Sequence, residues 1–286
     1  MSALDTVKNY IEVLKPRETV LLGFIGLCSV IIAAAGSPPP ATLLLATLTI
    51  ILAAGGANGL TNYLDRRIDA RMARTSKRVF PTQRINPPEK ALPWILAWIA
   101  AGLVLAWMLH PFAFAADAAG TVAAALYRKR AICVFPQGVI ASCAPVLMGW
   151  FAVSNVVDWR LGLLCLLIAA WLPLHVWSVM VSHREDYIGA GLNFFPMNVP
   201  VKLATNVLLI FALALNVVAL SLYFVAHLSL LYLIVTLGLG LMMLYGSTRL
   251  AVSRAPSRDA WRLYKLSSFP YLGLIFLTMC LDILLN

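Results

Sequence analysis

Long apolar stretches alternate with short polar ones along the whole chain. Nine apolar segments can be drawn, and all but the fourth approach the length that a helix needs to cross a bilayer. The pattern predicts an all-α, polytopic membrane protein, a bundle of nine transmembrane helices that forms one domain over residues 1–286. The segments cover residues 19–36, 41–62, 91–109, 112–127, 131–153, 160–181, 201–224, 227–245 and 264–285.

Composition and charge support a place in the membrane. Hydrophobic residues make up 61% of the chain and charged residues only 12%, which excludes an ordinary soluble domain. With the N-terminus in the cytoplasm, Arg160 is the one Lys or Arg expected outside, in agreement with the positive-inside rule. The net charge of +10 needs no explanation beyond this rule and gives no support to a nucleic-acid partner, so the expected surroundings are the lipid bilayer.

The N-terminal arm indicates where such a protein would reside. Residues 1–18 are polar and carry both signs of charge, unlike a signal peptide or a transit peptide. We therefore expect a multi-pass protein of a prokaryotic inner (plasma) membrane, with its N-terminus in the cytoplasm.

A polar stripe lies at the inner end of the second segment. Its members, three or four residues apart and thus on one face of a helix, are Asn58, Asn62, Asp65 and Asp69. Carboxylate and amide oxygens suit Mg²⁺, which in turn suits a diphosphate. The alternative is a solvated helix end. We favour that alternative for Asp69 alone but not for the whole stripe, because an amide in lipid costs free energy unless it has a partner.

The connection that follows this stripe is strongly basic. Eight Lys and Arg residues lie between residues 66 and 90. Orientation and contact with anionic lipid headgroups account for most of this charge. Arg74 and Arg78, one helical turn apart, are our candidates for binding phosphate oxygens.

A second polar group follows the sixth segment. His175, Ser178, Ser182 and Asp186 fall on one predicted helical stripe. If this stripe faces the first across a bundle, Asp186 supplies a second arm for a cation. The alternatives are a hydrogen-bonded interior histidine at His175 and a surface ion pair between Asp186 and Arg184, which would contribute little.

Two further features receive structural interpretations. Asp117, within the fourth segment, is interpreted as a polar position near the outer end of its helix. The basic run at residues 128–130 is interpreted as a positive-inside anchor, with contact to a phosphate as the alternative.

Several motifs keep a fixed order between about residues 55 and 200. They are Asn62-Tyr-Leu-Asp65-Arg-Arg-Ile-Asp69, Met72-Ala-Arg74-Thr75-Ser-Lys-Arg78, Pro145-Val-Leu-Met-Gly149-Trp150, Trp171-Leu-Pro173-Leu-His175-Val-Trp177 and Asp186-Tyr187-Ile-Gly-Ala190-Gly191. Together these motifs resemble those of the UbiA-type intramembrane prenyltransferases. Within that superfamily the finer resemblance is to the protoheme IX farnesyltransferases, the heme O synthases.

The resemblance implies a reaction and a set of site residues. A farnesyl group would pass from farnesyl diphosphate to the vinyl group of heme b, which also gains a hydroxyl from water, and Mg²⁺ would be required. The implied metal ligands are Asn62, Asp65, Asp69 and Asp186. The implied diphosphate-binding residues are Asn62, Arg74, Arg78 and Arg184. The implied catalytic residues are Asp65, Asp69, Asp186 and Tyr187, and an acceptor pocket would include His175, Asn58 and His183.

The chain departs from the family pattern in places, and other functions compete. Gln83 stands where the family has glycine before Arg84-Ile85, and His183 stands where it has arginine. One rival function is prenyl transfer to an aromatic acid, a quinone precursor or a lipid head alcohol. The other is a transporter or flippase, which is disfavoured because polar residues gather at one membrane face instead of near the midplane.

Overall fold

A computed structural model describes residues 2–126 and 134–285, so the basic run at 128–130 lies outside the described residues. Within the described ranges the regular structure is entirely helical. The α-helices are α1 (Ala3–Val13), α2 (Pro16–Ala33), α3 (Pro40–Asp69), α4 (Leu92–Leu109), α5 (Pro111–Ala125), α6 (Gln137–Phe151), α7 (Trp159–Ser182), α8 (Arg184–Gly189), α9 (Val201–Val225), α10 (Leu230–Ala251), α11 (Pro256–Leu266) and α12 (Leu272–Leu285). A short 3₁₀ turn, Pro88–Ala91, precedes α4, and a π-helical turn, Ser267–Tyr271, joins α11 to α12.

The helices fit a multi-pass membrane protein. Among the described residues, seven helical segments are long and apolar enough to span a membrane. Helices α5 and α6 are apolar but have 15 residues each, fewer than the roughly 20 that a straight span needs. The all-helical membrane fold is thus confirmed, and the count of nine spans stays a prediction.

The bundle packs a large apolar core and exposes an apolar surface. The core draws on seven helices, and Trp150, Tyr232 and Phe276 are wholly buried in it. Ile210 and Leu241 are exposed on the outside of the bundle, where lipid takes the place of water. Apolar residues therefore lie both inside and outside, which is why the sequence shows long apolar runs with little amphipathic periodicity.

Small residues let α2 and α6 approach closely. A Cβ atom at Gly149 would overlap the backbone of Gly26, so neither helix has room for a larger residue there. Ser29 Oγ donates a hydrogen bond to the carbonyl oxygen of Val146 across the same contact, at 2.7 Å. Such close packing substitutes for the hydrophobic effect, which does not drive helix association within lipid.

The connection between α3 and α4 folds back over the end of α3. The Thr75 hydroxyl donates to the carbonyl oxygen of Asp69 at 2.9 Å and so satisfies one carbonyl at the helix end. Further along, the Arg84 guanidinium bonds both carboxylate oxygens of Glu12 on α1 at 2.7 Å each. These hydrogen bonds also raise the pKa of Arg84 above its ordinary value. The connection and the N-terminal arm are therefore fastened to each other beside the end of α3.

Gln83 holds this connection in a conformation that suits glycine. Its φ of +55° lies in the left-handed region, which costs an L-residue about 1–2 kcal/mol. We expect Gln83→Gly to raise the free energy of unfolding by about 1 kcal/mol, measured as a higher melting temperature in detergent. The control is Lys77→Gly, at an exposed position of negative φ, which should lower the melting temperature. Equal shifts in both variants would contradict the explanation.

Candidate active site

The polar stripe predicted on α3 is buried in the bundle. Asn58, Asn62, Asp65 and Asp69 all lie within the last turns of the helix and are at most 9% exposed. The side-chain nitrogen of Asn58 donates to the Thr19 hydroxyl at 3.1 Å, and that of Asn62 donates to the carbonyl oxygen of Val13 at 2.7 Å. Each amide thus has one partner on the N-terminal part of the chain. The Asn62 Oδ1 atom is buried without a hydrogen-bond partner among the described residues.

Asp69 is the most deeply buried of the four, with 1% of its surface exposed. Its Oδ2 atom accepts a hydrogen bond from Arg78 Nη1 at 2.9 Å, while the Arg78 side chain stays 32% exposed. The guanidinium thus neutralises a carboxylate that would otherwise be costly to bury. Its remaining donors are available on the open side of the pair, because Arg78 has five N–H groups.

The second acidic group meets the same connection from the other side. The two Asp186 carboxylate oxygens accept hydrogen bonds from the backbone amides of Ala73, at 2.7 Å, and Arg74, at 3.2 Å. The Arg74 guanidinium in turn donates to the hydroxyl of Tyr187 at 3.2 Å. The connection that follows α3 therefore lies against α8, the short helix after α7.

The two acidic groups nevertheless line different cavities. Asn62, Asp69 and Arg78 border a polar cavity, here called the α3 cavity, which is also lined by Lys15 and Arg17. Asp186 borders another cavity, together with His183 and Arg184. Over residues 2–126 and 134–285, no three Asp, Glu, His or Cys side chains come close enough to form a metal-binding group. The structure thus joins the two groups through residues 73–78 and not through directly adjoining carboxylates.

The first group fits Mg²⁺ better than the second. Mg²⁺ binds oxygen ligands and is commonly held by one or two carboxylates together with substrate phosphates. The α3 stripe offers carboxylate oxygens. It also offers Asn62 Oδ1, a buried oxygen that has no hydrogen-bond partner among the described residues and could bind the ion. Asp186 already accepts two backbone amides, which leaves only its other lone pairs for a cation.

Arg184, predicted to bind the diphosphate, is engaged elsewhere. Its guanidinium donates to the carbonyl oxygens of Pro196 and Met197 at 2.6 Å each, and to that of Val199 at 2.8 Å. These bonds fasten the segment between α8 and α9 to the start of α8. A diphosphate would have to compete with these carbonyl partners, so the structure favours a role in holding this segment.

We expect Arg184→Lys to destabilise the fold without weakening substrate binding. A lysine keeps the charge but cannot reach three carbonyl oxygens at once, so the free energy of unfolding should fall by about 2 kcal/mol. The measurements are the melting temperature in detergent and the KM for the prenyl diphosphate. A lysine variant with the wild-type melting temperature and a raised KM would instead place the charge of Arg184 at the diphosphate.

The predicted acceptor residues separate in the structure. His175 stacks against Trp171, with ring centroids 4.8 Å apart, and against Tyr264 of α11 at 4.7 Å. His183 packs on the edge of Trp261. These histidines thus face α11, whereas Asn58 borders a mostly apolar cavity between α3, α5, α6 and α7, here called the central cavity. Of the three candidates, Asn58 borders the central cavity, and His183 borders the cavity that Asp186 lines.

Several residues at these cavities were not selected from the sequence. Lys15 and Arg17 flank the proline that begins α2, and a basic pair just before the first apolar segment was the available signal. The Lys15 Nζ atom donates to the Thr61 hydroxyl at 3.1 Å, next to Asn62. Asp117, interpreted as structural, borders the central cavity with Gln137. No sequence pattern linked these positions to the α3 stripe.

Comparison with known proteins decides the family. The model of the UbiA prenyltransferase family matches residues 21–269. The chain belongs to this family. Its relatives include a protoheme IX farnesyltransferase of Desulforudis audaxviator, 35% identical over 99% of this chain and 90% of the relative. Protoheme IX farnesyltransferase 1 of Pseudomonas putida is 34% identical over 96% of this chain and 94% of the relative.

Solved structures of UbiA-type proteins share the fold. A structure described for digeranylgeranylglyceryl phosphate synthase superposes with a TM-score of 0.80 at 16% identity, covering 98% of this chain and 99% of that one. A UbiA homolog from Archaeoglobus fulgidus, bound to GPP and Mg²⁺, gives 0.65 at 14% identity, covering 97% of this chain and all of that one. This chain is therefore a membrane prenyltransferase similar to the protoheme IX farnesyltransferases, as the motifs predicted.

Proposed function

We propose that this chain transfers the farnesyl group of farnesyl diphosphate to the vinyl group of heme b, giving heme O. The observation that supports the donor half most directly is the α3 cavity, where Asn62, Asp69 and Arg78 meet at the end of a membrane-spanning helix. Near full-length similarity to protoheme IX farnesyltransferases supports the acceptor. The inner membrane of a prokaryote is the proposed location, since the protoheme IX farnesyltransferases compared above are bacterial.

The α3 stripe is proposed as the Mg²⁺ site. Asn62, Asp65 and Asp69 would hold the ion through their side-chain oxygen atoms. When bound, Mg²⁺ neutralises the charge that develops on the departing diphosphate. A UbiA homolog with GPP and Mg²⁺ bound supports this assignment.

Basic side chains around the α3 cavity would bind the diphosphate. Arg78 is held in place by Asp69 and keeps further N–H groups to donate, and Lys15 and Arg17 face the cavity from the start of α2. Arg74 is held by the Tyr187 hydroxyl on the adjoining connection. Positive groups fixed before the reaction stabilise the leaving group most in the transition state, where its charge is largest.

Asp186 and Tyr187 would act as positioning residues for the connection between α3 and α4. Asp186 fixes the backbone at residues 73 and 74, and Tyr187 bonds the Arg74 side chain. Together they fix the positions of Arg74 and Arg78 on this connection. Arg184 has no place in diphosphate binding in this proposal, because its guanidinium bonds three carbonyl groups.

The central cavity would enclose the apolar substrate parts. Asn58 borders it, and Asn62, one turn further along α3, borders the α3 cavity, so neighbouring turns of one helix line the two cavities. Ile50, Ala53, Met148 and Leu172 are among its apolar walls. Such walls keep bulk water from an allylic cation formed at C1 of the farnesyl group.

Two acceptors distinguish the proposal from its nearest rival. Membranes containing the chain are incubated with farnesyl diphosphate and Mg²⁺, and with either heme b or 4-hydroxybenzoate. We expect a farnesylated, hydroxylated heme by mass spectrometry and no product from the aromatic acid. Product from 4-hydroxybenzoate alone would move the chain to the aromatic prenyltransferases. Transport of the prenyl diphosphate without release of diphosphate would instead support the transporter or flippase.

A further inference from the structure

A carboxyl group lies in the central cavity without a role in the reaction as described so far. Asp117 is in the middle of α5 and only 3% exposed. Its Oδ1 atom accepts a hydrogen bond from the Thr121 hydroxyl at 3.2 Å, one turn along the helix. Its Oδ2 atom is buried and has no hydrogen-bond partner among the described residues. Burying such a group in an apolar surrounding is unfavourable unless something binds it.

A second unsatisfied oxygen borders the same cavity. Gln137, the first residue of α6, contributes a buried Oε1 atom that also lacks a partner among the described residues. Thr121 and Ser142 add hydroxyl groups to the cavity lining, and no Lys or Arg of the described chain lines it. Within residues 2–126 and 134–285, the arrangement is therefore not an ion pair. It is a set of acceptors and hydroxyls gathered around one space.

These groups match the requirements of a bound water molecule. A buried water makes about three hydrogen bonds to polar groups that would otherwise stay unsatisfied. Asp117 Oδ2 and Gln137 Oε1 can each accept a hydrogen bond from it, and the hydroxyl of Ser142 can donate one. A carboxylate beside such a water can also take its proton, which makes the pair a general base with its nucleophile.

We propose that Asp117 binds and deprotonates the water that supplies the hydroxyl group of the product. This proposal rests on the proposed heme O synthase function, because that reaction needs water as a third reactant. Asp117 shares the central cavity with Asn58, one turn from the Asn62 that borders the α3 cavity. The carboxyl group therefore borders the same cavity that the proposed function assigns to the apolar parts of the substrates.

The bonds and charges balance in this step. The terminal carbon of the vinyl group bonds to C1 of the farnesyl group, while the C1–O bond breaks and its electron pair leaves with the diphosphate. The inner vinyl carbon is then electron-deficient, and the oxygen of water bonds to it. The water proton passes to Asp117 and later to solvent. The sum is farnesyl diphosphate, heme b and water giving the hydroxylated farnesyl heme, diphosphate and one proton.

Loss of the base should change the product and not only the rate. Without a positioned base, the electron-deficient carbon is quenched by loss of a neighbouring proton, which gives a farnesylated heme lighter by one water. We expect Asp117→Asn, which preserves shape and the bond to Thr121, to lower the ratio of hydroxylated to dehydrated product by about 100-fold. The ratio is measured by mass spectrometry after incubation of membranes with heme b, farnesyl diphosphate and Mg²⁺ in ¹⁸O-labelled water.

Two further variants complete the test. Asp158→Asn, at the start of α7, alters a carboxylate outside both cavities, and asparagine also caps helices, so its product ratio should equal that of the wild type. Gln137→Leu removes the second acceptor and should also lower the ratio of hydroxylated to dehydrated product. It therefore tests the proposal even if Asp117→Asn fails to fold. A wild-type ratio in a folded Asp117→Asn or Gln137→Leu protein overturns the proposal. Absence of any farnesylated heme from the wild-type protein overturns the proposed function itself.

Discussion

Replacement of Asp65 by alanine is expected to reduce Mg²⁺-dependent release of diphosphate from farnesyl diphosphate by about a thousandfold. Asp65 lies between Asn62 and Asp69 on the buried face of α3, at the centre of the proposed metal site. Its loss removes a negative ligand, and with it charge stabilisation that matters most as the diphosphate departs. Release is measured on purified protein with and without Mg²⁺.

The matched control for this variant is Glu185→Ala. Glu185 is exposed on α8, so its replacement removes one carboxylate from the same end of the bundle without touching α3. We expect the control to release diphosphate at the wild-type rate. If the Asp65→Ala protein folds and releases diphosphate at the wild-type rate, then α3 does not form the metal site.

Replacement of Asp186 by alanine is expected to reduce the same activity by about 100-fold. The backbone amides of Ala73 and Arg74 would lose their acceptor, so the connection carrying Arg74 and Arg78 would no longer be fixed. Faster hydrogen exchange of the amides at residues 73 and 74 should accompany the loss of activity.

Tyr187→Phe separates backbone positioning from contact with Arg74. This variant removes the hydrogen bond from Arg74 and should lower activity less than about tenfold, with unchanged hydrogen exchange at the amide of residue 73. If Asp186→Ala instead leaves amide exchange unchanged and only raises the Mg²⁺ concentration needed, then Asp186 acts as a metal ligand and not through the connection. That result would support the role of metal ligand that the family resemblance implies for Asp186.

Much of the fold could be predicted from the chain because lipid imposes a simple rule. Every backbone polar group in a bilayer must be satisfied within the chain, so long apolar runs become helices. Helix α7, Trp159–Ser182, accordingly matches the apolar segment at 160–181. Helix α3 begins at Pro40, as the segment at 41–62 predicted, but it continues through the polar stripe to Asp69. The count of spans is less determined, because α5 and α6 are too short for length alone to decide.

The site was predictable as far as it lies on one helix. The spacing of Asn58, Asn62, Asp65 and Asp69 places them on one face whatever surrounds the helix. The contact of Asp186 with residues 73 and 74 had no such signal, because it joins positions more than a hundred residues apart. The same holds for Arg184, whose charge suggested an anion while its contacts are carbonyl oxygens.

By itself the sequence determined the all-helical membrane architecture, the family and the polar stripe on α3, since each depends on local spacing or on composition. Only the tertiary structure decided which cavity each polar side chain borders. It placed Lys15 and Arg17 beside Asn62, turned His175 towards α11, and gave Asp117 a place in the central cavity. The physical reason is that a charged or polar side chain takes its role from its neighbours, and those neighbours come from distant parts of the chain when helices pack.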